Sequence, residues 1–289
     1  MTNVAIIGKD SYIGGHIAVA LREKGFSVVE VDALDDRWAD FDFTTVDTVI
    51  HVAAIVHRKD IADPAVYENV NVKLPLAVVE RAAAAGVLQF VFMSSMAVYG
   101  RGHVLQDCCI MPDSPLCPKT EYAKSKLQAE QALQQSIGSS MVLSIVRPPS
   151  VYGRGCKGNL FYRYEKIASL LPRIPACEPD CLQGLLYIDN LCSAIYAIIN
   201  DRKAGCFHPQ DSSLLTMTEI LCEIQRCRGG KSYVSDALGR LVSLFSFIPV
   251  YQKLFGAVYY ADCFAEQEAL SSSILPTREG LWRMYGETH

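Results

Sequence analysis

Val4-Ala5-Ile6-Ile7-Gly8-Lys9-Asp10-Ser11-Tyr12-Ile13-Gly14-Gly15 decides the fold of this 289-residue chain. Four apolar residues end at a glycine, and a helical pattern follows with Ile17, Ala18, Ala20 and Leu21 on one face. Gly25 stops that helix. The alternation then repeats. Apolar runs at 26–31, 48–52, 87–93 and 141–146 read as strands, and 121–135 reads as a polar-faced helix. Asp63-Pro64 opens a long helix, with Asp as N-cap and Pro in the first turn, and Pro75 is expected to kink it. Strand and helix in turn mean βαβ units and a parallel sheet buried on both faces. The expected class is α/β, a doubly wound parallel sheet with a small C-terminal lobe. Residues 1–150 and 184–210 are assigned to the sheet domain, and 151–183 and 211–289 to the lobe.

Composition narrows the function. Half the residues are apolar, so the chain can form a core. A net charge of −4 and a pI near 5.9 argue against nucleic acid or an anionic membrane surface as the main partner. Eleven cysteines lack any CxxC pair or finger spacing, so no metal site is expected, and they read as small buried hydrophobes. The opening residues show no signal peptide, which points to a reducing cytoplasm. Residues 241–260 are the most apolar stretch. The uncharged run between Arg240 and Lys253 is too short to span a bilayer, so no transmembrane segment is expected. A buried or oligomer-facing helix is the plain reading, and an interfacial helix the second.

The first turn carries the strongest chemical signal. Its spacing is G-x-x-S-x-x-G rather than G-x-G-x-x-G, yet a strand precedes it, a helix follows and an acid lies downstream. Asp32 ends the second strand, where an acid accepts from adenosine ribose hydroxyls and repels a 2′-phosphate. That favours NAD over NADP. Met93-Ser94-Ser95-Met96-Ala97-Val98-Tyr99-Gly100 lies at the carboxyl end of a strand, where open α/β sheets bind ligands. Tyr122 and Lys126 are four apart on a helix and so share a face. A nearby ammonium is expected to bring the tyrosine pKa down towards working pH, with a serine holding the substrate oxygen.

These residues resemble the extended short-chain dehydrogenase/reductase superfamily, in its NAD-dependent epimerase/dehydratase branch. The resemblance covers residues 4 to about 197. It rests on the glycine loop, Asp47 to Ala54, Asn69-Val70, Ser94-Ser95 to Gly100, Tyr122 to Lys126, and Arg147-Pro148 to Gly153. It implies a Rossmann fold, a nicotinamide cofactor, a nucleotide-sugar substrate and a homodimer. Ser95, Tyr122 and Lys126 are then the expected catalytic residues. Gly8, Ser11, Tyr12, Ile13, Gly14, Asp32, Ala53, Ala54, Asn69, Ser94, Tyr122, Lys126 and Pro148 are the expected NAD contacts. Ser95, Met96, Ser150 and Asn159 are the expected substrate contacts. Ser11 replaces a loop glycine, Ser150 a common asparagine, and Gln183 stands near a usual phosphate-binding arginine.

The resembled 4,6-dehydratases carry an Asp-Glu pair directly after the catalytic hydroxyl. Met96 and Ala97 stand there, which argues against dehydration. A nucleotide-sugar 4-epimerase, of UDP-hexose or UDP-N-acetylhexosamine type, is the leading expectation. A 4-ketoreductase, and a dehydrogenase of a steroid or lipid-linked sugar, remain as alternatives. A superfamily member that has become a redox sensor would be expected to lose the Tyr and Lys pair, which is intact here.

Overall fold

The computed structural model describes residues 2–33, 37–56, 63–101, 105, 108–156, 160–176, 181–262 and 274–286. The chain divides into two compact units. The first comprises Met1–Gly100, Pro115–Pro148 and Leu191–Pro209. The second comprises Arg101–Ser114, Pro149–Asn190 and Gln210–His289.

Six strands form the sheet of the first unit: β1 (Asn3–Ile7), β2 (Ser27–Val31), β3 (Thr48–His51), β4 (Gln89–Met93), β5 (Val142–Val146) and β6 (Gly205–Phe207). They run parallel in the order β6-β5-β4-β3-β1-β2. This is the expected doubly wound sheet. Chain order reverses between β1 and β3, so a crevice opens at their carboxyl ends. Alternate side chains face opposite ways. Ala5, Ile7, Val49, Phe90 and Phe92 form one buried face with Val78, Val79, Ala129 and Leu133. Those last four come from α3 (Leu74–Ala84) and α4 (Glu121–Ser136), numbered after α1 (Tyr12–Glu23) and α2 (Pro64–Glu68). The described link from β2 to β3 holds only short 3-10 turns at Arg37–Asp40 and Phe43–Thr45, which leaves β2 at the sheet edge.

The helix after Asp63 differs from a simple kinked rod. Asp63 Oδ1 accepts from Ala65 N (2.9 Å) and Pro64 fills the first turn, as expected. The helix is then interrupted by a π turn at Asn69–Lys73, just before Pro75. Proline lacks an N–H and clashes with the preceding turn, and a wider turn absorbs both defects.

In the second unit the strands shrink to pairs and triplets. Leu185–Tyr187 pairs with Ser150–Tyr152, Ile174–Pro175 with Val234–Ser235, Leu182–Gln183 with Leu215–Thr216, and Cys109–Ile110 with Tyr259–Tyr260. These pairings draw residues 101–114 and 184–190 into this unit, where the sequence had placed them with the sheet. Buried aromatics fill the interior: Tyr152 stacks on Phe161 at 4.9 Å, and Tyr164 is fully buried. Asp211 is the polar hub. It accepts from Tyr187 N (2.8 Å), Asn190 Nδ2 (2.7 Å) and the Tyr152 hydroxyl (2.9 Å). All three donors are neutral, and burial pushes its carboxyl up to about 6. The apolar stretch 241–260 is not one helix. It divides between the helix Asp236–Ser243 and the helix Pro249–Phe255, with Pro249 opening the second.

Nine of the eleven cysteines lie among the described residues. Among the described residues no cluster of His, Cys, Asp and Glu could hold a metal ion.

Candidate active site

The glycine loop lies between the carboxyl ends of β1 and β2. Gly8 N and Lys9 N both donate to Val31 O (3.0 and 3.1 Å), which clasps the loop against β2 directly before Asp32. Ser11 caps α1, its Oγ accepting from Gly14 N at 3.1 Å. Gly8 has φ +125°, and a Cβ there would come within 2.9 Å of Val52 Cγ2 and 3.0 Å of Ala53 N. A Cβ on Gly14 would come within 2.5 Å of the Ser11 hydroxyl. The backbone is therefore kept bare where a helix N-terminus meets the switch point. That is the cradle a pyrophosphate needs, and the residues present fit NAD. Tyr12 and Ile13 occupy the first turn of α1.

Ala53 and Ala54 follow β3, and Ala53 N bonds Ile7 O at 3.0 Å. Their segment is held by an asparagine, though not by the one expected. Asn69 is exposed, and its Oδ1 accepts from Lys73 Nζ at 3.1 Å. Asn71 is fully buried. It accepts from Ile55 N (2.8 Å), donates to Ile55 O (3.0 Å) and donates to Ser125 Oγ (3.0 Å). Asn71 thus ties the end of β3 to the helix that carries Tyr122 and Lys126. The sequence contains the signal for it: Tyr67, Asn71, Pro75 and Val78 fall at i, i+4, i+8 and i+11 on the apolar stripe of that helix.

The serine pair after β4 divides its duties. Ser94 is buried and donates to Glu130 Oε1, so its hydroxyl is turned inward rather than towards a cofactor. Ser95 caps a short 3-10 turn at Met96–Tyr99, its Oγ accepting from Ala97 N (3.2 Å), and it is also hydrogen-bonded to the Tyr122 phenol. Met96 N donates to Pro148 O at 2.9 Å, which joins the ends of β4 and β5. Thr120 caps α4 by accepting from Ala123 N (3.2 Å) and so sets the phase that presents Tyr122 and Lys126 on one side.

Lys126 is buried. Its Nζ donates to Met93 O at 2.7 Å and lies 4.6 Å from the Phe92 ring centroid. Burial pulls its pKa down to about 7, against the opposing pull of Glu130. The Tyr122 phenol is pushed up to about 12, because burial outweighs the Ser95 hydrogen bond. This corrects the expectation of a tyrosine brought down towards neutrality: the phenol here is held in its acid form. His51 stays neutral, driven to about 3 by burial and the Lys126 charge, which suits a structural role.

Beneath the serines lies a buried polar chain the sequence did not reveal. Glu130 accepts from Arg147 Nε (3.1 Å) and Nη2 (2.6 Å). Arg147 Nη1 donates to Tyr99 OH (2.9 Å), and Tyr99 OH meets His208 Nε2 at 2.8 Å. Each partner lies on a different strand end or helix, so the chain braces the floor of the site.

In the second unit, Ser150 opens the strand paired with Leu185–Tyr187 and is half-buried. Gln183 is buried and donates to Gly256 O, which ties its amide into the lobe. Asn159 lies outside the described residues.

Comparison with known proteins agrees with this geometry. The UDP-glucose 4-epimerase of Vibrio cholerae is 32% identical over 205 residues, covering 69% of this chain and 62% of that protein. The N-acetyl-alpha-D-glucosaminyl-diphospho-ditrans,octacis-undecaprenol 4-epimerase of Escherichia coli O157:H7 is 28% identical over 204 residues, covering 69% and 58%. The matched part of each relative is therefore about six-tenths of its length. Among solved structures, the UDP-N-acetylglucosamine 4-epimerase of Bacillus cereus superposes with a TM-score of 0.77 at 16% identity, over all of both chains, which shows the fold. The sequence model of the NAD dependent epimerase/dehydratase family matches residues 4–207. With the glycine cradle, the Ser95–Tyr122 pair and Lys126 in one unit, the chain belongs to the NAD dependent epimerase/dehydratase family.

Proposed function

We propose that the protein is an NAD-dependent 4-epimerase of a sugar carried on a diphosphate, of UDP-hexose or UDP-N-acetylhexosamine type. The observation that carries this reading is the Ser95–Tyr122 hydrogen bond at the carboxyl end of β4, with Lys126 one turn further along α4 and no acid pair after Ser95. Bound NAD supplies a hydride acceptor and donor for C4 of the sugar. Gly8, Ser11, Tyr12, Ile13 and Gly14 hold its pyrophosphate side, Asp32 its adenosine ribose, and Ala53, Ala54 and Lys126 the inner end. Ser95 holds the C4 oxygen. Tyr122 takes the C4 hydroxyl proton as the alcohol becomes a ketone and returns it when the ketone is reduced on the other face. The neutral phenol is ready for the donating half. The accepting half needs a lower pKa, which a positive charge on the neighbouring Lys126 favours. Met96, Ser150 and Asn159 are assigned to the substrate. Ser95 and Asn71 are assigned as the residues that build the site, with Ser94 buried against Glu130 and Asn69 exposed.

One observation favours a second carrier for the same reaction. The E. coli relative is named for a polyprenol-diphosphate sugar, and this chain exposes apolar side chains in residues 241–247.

The test is direct. Purified protein should release NAD on denaturation and interconvert C4 epimers of a UDP-sugar or a polyprenyl-diphosphate sugar without added reductant. Tyr122→Phe should keep the cofactor and lose about 10²–10⁴-fold in turnover. Protein that carries no cofactor and consumes reduced cofactor with a 4-keto sugar would replace this reading with a reductase.

A further inference from the structure

The helix Asp236–Ser243 packs the wrong way round for a core helix. Gly239 is its one fully buried residue, and a Cβ there would come within 2.0 Å of Ala176 O, so the helix lies on the neighbouring strand by its backbone. Its apolar stripe faces water instead. Leu241 on the helix, Leu244 at its C-cap and Phe245 in the turn that follows are 57%, 68% and 51% exposed, and Phe247 just beyond is 74% exposed. Tyr233 and Val234, immediately before the helix, are exposed as well. Four large apolar side chains within seven residues are not the scattered exposure of an ordinary surface.

The charges around this cluster select its partner. The chain carries −4 overall, yet no acid occurs between Asp236 and Asp262, while Arg240 and Lys253 do. Arg240 and Lys231 are exposed, and so is Arg173, next to the strand that pairs with Val234. Apolar side chains with Arg240, Lys231 and Arg173 as neighbours along the chain and the paired strand, against Asp236 as the one acid of the helix, match the headgroup and acyl boundary of an anionic bilayer. A twofold contact between copies of this chain would bring the same cations face to face, which disfavours self-association there. No helix among the described residues is long and apolar enough to cross a membrane, so the contact is peripheral.

We propose that Leu241, Leu244, Phe245 and Phe247 dock the protein onto an anionic lipid surface, with Arg240, Lys231 and Arg173 engaging the headgroups. This goes beyond the proposed reaction and does not rest on it, because the test measures binding. The full chain should co-sediment with vesicles of phosphatidylcholine plus phosphatidylglycerol, and much less with phosphatidylcholine alone. Leu244→Ser/Phe247→Ser should weaken that binding at least about tenfold, and Arg240→Gln about fivefold. A Phe247→Trp protein should show a blue-shifted emission change on adding the anionic vesicles, which checks the site without removing apolar surface. Absence of binding to the anionic vesicles, unchanged binding of the double variant, or a wild-type dimer that the double variant converts to monomer by light scattering would each overturn the proposal.

Discussion

Two buried carboxylates, Glu130 in the first unit and Asp211 in the second, are solved differently. Glu130, beneath the candidate active site, faces the Arg147 guanidinium through two hydrogen bonds and also receives Ser94. Asp211, in the second unit, has only neutral donors and is raised to about 6. A countercharge offsets the desolvation of the first group. Neutral hydrogen bonds offset only part of it and leave the second poised to take a proton.

The largest test of that contrast is Glu130→Gln. It strands the Arg147 charge in a buried place and should cost about 3–5 kcal/mol in urea unfolding. A loss under 1 kcal/mol would mean that Arg147 finds other partners. Asp211→Asn should instead act through pH. The folded carboxyl titrates above its unfolded value, so its contribution to stability is fully present below about pH 4 and is lost as pH rises through about 6. Relative to Asp211→Asn, the wild type should lose about 3 kcal/mol across that window, measured by unfolding at fixed pH steps. Parallel pH curves for the two proteins would break the contrast. The smallest test separates the two asparagines. Asn71→Ala, which leaves Ile55 N without its acceptor, should cost about 1–2 kcal/mol and loosen cofactor retention. Asn69→Ala should stay within about 0.5 kcal/mol by thermal melting.

The sheet was legible because a parallel strand buried on both faces is a bare apolar run, and β1, β3, β4 and β5 all read so. The grouping of Ser95, Tyr122 and Lys126 was legible because a strand end and two positions four apart on a helix bring their side chains to one place. Asn69 and Asn71 stand two positions apart in one helical segment. Two residues on a helix are about 200° apart, so only one of them can face inward. The π turn at Asn69–Lys73 moves the phase further, and only Pro75 hinted at it. The Tyr122 pKa was misjudged because spacing reveals a neighbouring cation but not how much water the fold removes. The second unit was hardest to read. Its strands are two or three residues long, too short for any period, and each finds its partner from far along the chain.

The short link after β2 has a price for the sheet. It leaves β2 as an outer strand, with Val29 exposed, and a bare outer strand invites a stray chain to add itself by backbone pairing. Arg22, reaching over from α1, blocks that invitation. Its guanidinium donates to Val28 O (3.1 Å) and to Glu30 Oε1 (3.3 Å), capping one outward carbonyl and anchoring a charge beside it. A surface arginine far from the chemistry thus guards the protein against aggregation.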